Sequence, residues 1–152
     1  MSLTIITCSH QGFSWAREAI SLYEKRIARF EKIQSIVIKP HKVQRPIAEM
    51  MLLDIAQIES KIPKQSTVYL CHERGKHYTS NAFSELLQKD KITAPNITFV
   101  IGPAYGLSPD ILEKYRQISL SHMTLQHEMA HMLLCEQIYR SITLALNHPY
   151  HR

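Results

Sequence analysis

The residues best suited to chemistry lie in the last third of the chain. His127-Glu128-Met129-Ala130-His131 matches H-E-x-x-H, which on a helix sets two imidazoles on one face with a glutamate as general base beside a zinc ion. His122 or His151 could be offered as a third ligand. The longer zinc-protease pattern fails, because Leu134 stands where it wants glycine and Gln137 where it wants the third histidine. Nine histidines in 152 residues also make a chance match easy, so no metal is expected. The tail, Asn147-His148-Pro149-Tyr150-His151-Arg152, offers imidazoles and a phenol that could move a proton. Ile97 to Leu112, ITFVIGPAYGLSPDIL, contributes backbone: an apolar run, then Gly102 and Gly106, then a helix start at Ser108-Pro109-Asp110. A strand that ends in a glycine loop and feeds a helix is where open α/β sheets hold ligands.

These groups must be positioned by the elements before them. Leu3–Thr7 reads as a first strand, broken by Ser9-His10-Gln11-Gly12. A helix follows from about Ser14 to Phe30, with Trp15, Ala19, Ile20, Tyr23, Ile27 and Phe30 at helical spacing and Trp15 expected in the core. Ile33–Ile38 is a second strand. The basic loop KPHKVQR (Lys39–Arg45) precedes a helix opened by Pro46 and striped by Ile47, Met51, Ile55 and Ile58. Thr67–Cys71 is a third strand ended by HERG, and a helix runs from Thr79-Ser80 to about Lys89. After the organising strand come a short helix, about Pro109–Gln117, and Ile118–Leu125 as a fifth strand or a structured loop. A long helix spans about Glu128–Leu146, its broad apolar face expected to seek a second copy of the chain. Within it Arg140 could meet phosphate, or pair with Glu136 one turn back. The alternation predicts one α/β domain over residues 1–152, a parallel sheet with helices on both faces.

Composition narrows the partners. Hydrophobic residues at 45% and charged residues at 20% indicate a globular chain. A net charge of +5 favours a polyanion such as nucleic acid. Cys8, Cys71 and Cys135 are odd in number and share no metal spacing, which suits reduced thiols in the cytoplasm. No signal peptide and no membrane-spanning run is read from the sequence.

YEKRIARFEKI, CHERGK with Thr79-Ser80, VIGPAYGLSPDIL, SLSHMTLQH, and EQIYR with NHPYHR together resemble the ribosomal RNA large subunit methyltransferase H family. This is a SPOUT-class group that methylates N3 of a pseudouridine in large-subunit rRNA with S-adenosylmethionine. The likeness spans almost the whole chain. It implies a C-terminal trefoil knot, a homodimer and large-subunit rRNA as partner. It implies cofactor binding by Cys71, by Gly102, and by Leu120, Ser121, His122, Met123, Thr124 and Leu125. The sequence departs from the family at Pro103 (usually glycine), Tyr105 (often glutamate or asparagine), His72 (usually acidic), Gln126 (usually proline) and His131 (usually arginine).

Methyl transfer to N3 is an in-line displacement that needs the N3 proton removed near the time of attack. A positioned base contributes about 10²–10⁴. His151 is the expected base, Tyr150 the group that positions or stacks the target ring, and His131 the next candidate. The tail is expected over a cofactor pocket and removable without harm to the core. The other readings are a noncatalytic RNA- or cofactor-binding protein of the same fold and, more distantly, a zinc hydrolase.

Overall fold

The computed structural model describes residues 2–9 and 12–151, the last by its backbone alone. The break at His10-Gln11, Arg152 and the His151 side chain lie outside the described residues. Strands β1 (Ser2–Cys8), β2 (Lys32–Ile38), β3 (Ser66–His77), β4 (Asn96–Ile101) and β5 (Arg116–Ser119) alternate with helices α1 (Ser14–Ile27), α2 (Ile47–Lys61), α3 (Ser80–Thr93), α4 (Pro109–Lys114) and α5 (His127–Ala145). A 3₁₀ turn, Pro149–His151, closes the chain.

All pairings are parallel, in the order β2-β1-β4-β3-β5. Inner strands of such a sheet are covered on both faces and so lose polar alternation. Leu3, Ile5, Tyr69, Ile97 and Phe99 face α1, α3 and α5; Ile6, Val68, Leu70 and Val100 face α2 and α4. The expected α/β architecture, with helices on both faces, is therefore observed. Because every strand runs the same way, the loops after β2, β4 and β5 leave from one edge, where ligands bind in such sheets.

Three readings need correction. Trp15 is 47% exposed, stacked on the equally exposed Phe13 with ring centroids 5.9 Å apart. The buried stripe of α1 runs through Ala16, Ile20, Tyr23 and Ile27 and leaves Trp15 one position outside it. The helix stops at Ile27, and Phe30 beyond it is exposed. Finally, Leu134, Cys135, Ile138 and Ile142 of α5 are covered by the sheet, α1 and α3 of the same chain. That face does not call for a second copy.

The third strand also runs past Cys71 to His77. Cys71 and Lys76 both align with Ile118 of β5, so His72-Glu73-Arg74-Gly75 forms an excursion from the ladder. Gly75 makes the return possible: a Cβ there would lie 2.5 Å from the Ile118 carbonyl carbon. The last crossover divides as α4 to Lys114, β5 to Ser119 and a loop to Gln126. Among the described residues no helix is long and apolar enough to cross a membrane.

Candidate active site

A cleft of about 810 Å³ opens at the carboxyl edge of the sheet, within the size range of small-molecule sites. The glycine loop after β4, from Gly102 to Leu107, forms one wall. The β3 excursion, Cys71 to Arg74, forms another. The third is the loop after β5, Leu120 to Gln126, continued by His127 and Ala130 on the first turn of α5. Leu107, Leu112, Leu120 and Leu125 make much of this lining apolar, while the loop backbones supply polar groups.

Local chemistry shapes each wall. Gly106 has φ +88°, a left-handed conformation that favours glycine, with open space around its α-carbon. Gly102 packs so closely on Leu107 that a Cβ would come within 2.6 Å of the leucine Cγ. Ser108 occupies the N-cap of α4 as expected, but its buried hydroxyl makes no capping bond. Across the cleft, Thr124 Oγ1 donates to Glu73 Oε2 at 3.4 Å, and the His77 and His122 rings stack at 3.8 Å. These contacts tie the excursion to the crossover loop.

Of the expected cofactor residues, Cys71, Gly102, Leu120, Ser121, Met123, Thr124 and Leu125 come together on the lining. His122 does not; its exposed ring is taken up by His77. The Cys71 residue is part-exposed, but its thiol is enclosed, and burial pushes it up to about 12. At neutral pH it is a wall and not a nucleophile. His72, Glu73, Arg74 and His127 supply the cleft's charged and titratable groups. His127, read from the sequence only as part of H-E-x-x-H, directly follows the SLSHMTLQ loop and joins the lining.

The other expected catalytic groups lie elsewhere. His131 is 7% exposed, with Nε2 3.2 Å from the Ser35 hydroxyl, which itself donates to Glu24. Burial lowers its pKa to about 4, so it is neutral at pH 7. The two histidines of H-E-x-x-H thus part company, His127 at the cleft and His131 within the core. Tyr150 packs edge-on against Tyr139 at 4.7 Å, and its hydroxyl is 3.2 Å from both Tyr23 Oη and Glu136 Oε1. Burial, reinforced by those bonds, raises its pKa above the usual phenol value. Arg140 pairs with Glu136 at 2.8 Å and lies over the Tyr150 ring. The tail thus folds back onto the middle of α5, where its contacts at Glu136, Tyr139 and Arg140 lie about 9–15 Å from Ala130 by helical rise.

Comparison with known proteins fits this arrangement. A family model described as "Predicted SPOUT methyltransferase" matches residues 1–151. The chain is 40% identical to the ribosomal RNA large subunit methyltransferase H of Ralstonia pickettii (strain 12J), over all of this chain and 99% of that protein. The chain belongs to that SPOUT methyltransferase family. The proteins of the same name from Herminiimonas arsenicoxydans (35% identical, all of this chain and 99% of theirs) and Exiguobacterium sp. (33%, all of both chains) are similar along their whole length. The three walls of the cleft come from the segments through which the family resemblance implied cofactor binding.

Proposed function

We propose that this chain methylates large-subunit ribosomal RNA, at N3 of a pseudouridine, with S-adenosylmethionine. The observation that carries the reading is the convergence of three sequence-distant segments on one cleft at the carboxyl edge of a parallel sheet. The cleft fits the cofactor in size, in its apolar walls and in its exposed loop backbone. Cys71, Gly102, Leu120, Ser121 and Leu125 would hold it, with Met123 and Thr124 at the rim. When bound, the cofactor supplies an electrophilic methyl group on a sulfonium centre.

The chain's own residues then orient the base, exclude water and take a proton. Basic groups at the same edge, Lys39, Lys42, Arg45 and Arg74, are suited to phosphate. For the proton acceptor we keep His151, presented by a tail that Tyr150 anchors through Tyr23, Tyr139 and Glu136. His131 faces Ser35 inside the fold and is set aside; His127, on the cleft wall, is the alternative imidazole. Since the tail is held about two to three helical turns from its own cleft wall, we take His151 to serve the cleft of a second copy. A homodimer with shared sites follows. We place its apolar contact at Phe13, Trp15 and Met129, which are exposed, near where Gly12 packs on Glu128 at the start of α5. The trefoil knot implied by the family resemblance, formed where α5 follows the β5 crossover, belongs to the same reading.

The test is transfer of a tritiated methyl group from labelled cofactor to ribosomes lacking the modification, followed by nucleoside analysis. Label at N3 of a single pseudouridine is expected. Cofactor binding without label transfer would favour a noncatalytic role.

A further inference from the structure

The glycine loop is held from behind by a carboxylate on the opposite face of the sheet. Asp54 belongs to α2 and is only 5% exposed. Its Oδ1 lies 2.7 Å from His41 Nε2, and its Oδ2 accepts the Tyr105 hydroxyl proton. Tyr105 lines the cleft, whereas His41 sits in the basic loop among Lys39, Lys42 and Arg45 and lies outside the lining. The glycine loop's own backbone bond is a single turn, Gly106 N–H to the Pro103 carbonyl at 2.9 Å. A buried carboxylate is costly unless its oxygens are satisfied, and both oxygens here are used on two different loops, only one of which lines the cleft. The charge is felt nearby: the Cys8 thiol is pushed up to about 12, first by burial and then by Asp54.

We infer that Asp54 is a positioning residue of the cofactor site, clamping Tyr105 of the glycine loop and His41 of the basic loop on one carboxylate. The phenol's hydroxyl is committed to the clamp, so its ring presents a flat apolar surface to the cleft. The basic loop, where RNA phosphate would press, and the loop that faces the cofactor then share one anchor. Occupation of either should favour the other, because each reduces the freedom of the same carboxylate. This inference rests on the methyltransferase reading above.

Calorimetric titration of the full chain with S-adenosylmethionine tests it. Tyr105→Phe should weaken binding about tenfold, as expected for one charge-assisted hydrogen bond, and Asp54→Ala, which also frees His41, at least as much. The double variant should be no weaker than Asp54→Ala alone, because that variant already removes the Tyr105 link. His41→Ala should weaken binding several-fold although its side chain lies outside the cleft. Asp54→Asn, which still offers an oxygen to Tyr105, should recover most of the affinity lost in Asp54→Ala. Wild-type affinity in Tyr105→Phe and His41→Ala, or fully additive losses in the double variant, would overturn the clamp. Should Asp54→Ala fail to fold, those two milder variants still decide. A wild-type chain that binds no cofactor removes the function reading as well. A wild-type chain that binds and transfers methyl groups, with variants that bind equally well, removes the clamp alone.

Discussion

Two stretches of α5 are built for different work. At its start, His127 and Ala130 border an open cleft whose walls are loops. From its middle, Glu136, Arg140, Tyr139 and Tyr150 are cross-linked by an ion pair, a ring contact and two hydroxyl bonds, with Tyr23 of α1 joined in. One stretch leaves room for a ligand; the other fixes a short tail in place. In the proposed dimer a reaction that uses both would draw them from two chains.

Breaking that division should have its largest effect through the tail. Ending the chain after Leu146 should lower methyl transfer by about 10²–10⁴ while cofactor affinity changes little. Mixing this chain with a full-length Gly106→Val variant, its glycine loop disabled, should restore activity to about a quarter of wild type, because half the dimers regain one complete site. No recovery on mixing would show that each chain uses its own tail. The tail is less dispensable than its sequence suggests, since Tyr150 packs on the core cluster. Some loss of thermal stability is therefore expected alongside.

The second turn of the helix sets a second test. The folded His131 imidazole takes its proton only near pH 4, the unfolded one near 6.5. Between those values the unfolded chain carries more protons, so stability falls as pH falls through that window and is fully present above it. The loss should reach about 3 kcal/mol by pH 4. Urea unfolding of wild type and His131→Asn across this range should show a flatter profile for the variant. Equal slopes would mean that other groups carry the acid sensitivity.

A smaller effect is expected on the cleft side from Gly75→Ala. Its Cβ would meet the Ile118 backbone, and overpacking of this kind costs about 1–3 kcal/mol. Cofactor affinity should fall with it while the Tyr150 clamp stays intact. Fluorescence of the tail's tyrosine cluster and calorimetry on the same sample would separate the two regions.

The sheet and the glycine loop were legible because apolar runs and punctuating glycines report local backbone needs. Seven of the eight expected cofactor residues reach the cleft for the same reason: loops at the carboxyl ends of parallel strands converge. What sequence patterning hid depends on partners distant in the chain. The charged stretch HERGKH does not resemble a strand, yet it returns to the ladder because β5 offers it a backbone. Trp15 sits at helical spacing with core residues, and only the packing of α1 on α5 shows it to be one position off the seam. His131 reads as a ligand in H-E-x-x-H until Ser35, 96 residues earlier, takes its nitrogen. Asp54 carries no sequence signal of its role, because its two partners lie 13 and 51 residues away.

The excursion at residues 72–75 leaves β5 and returns to the same residue of it, Ile118. Such a segment is an arch with both feet set in the sheet, unlike a flap that swings on one hinge. An arch cannot open without unzipping the sheet edge beneath it. A molecule resting against it therefore enters and leaves past the glycine loop or the loop after β5, and its residence time is uncoupled from any lid motion on the β3 side. Local melting of the short β5 edge is then the one movement on that side that would let the arch give way.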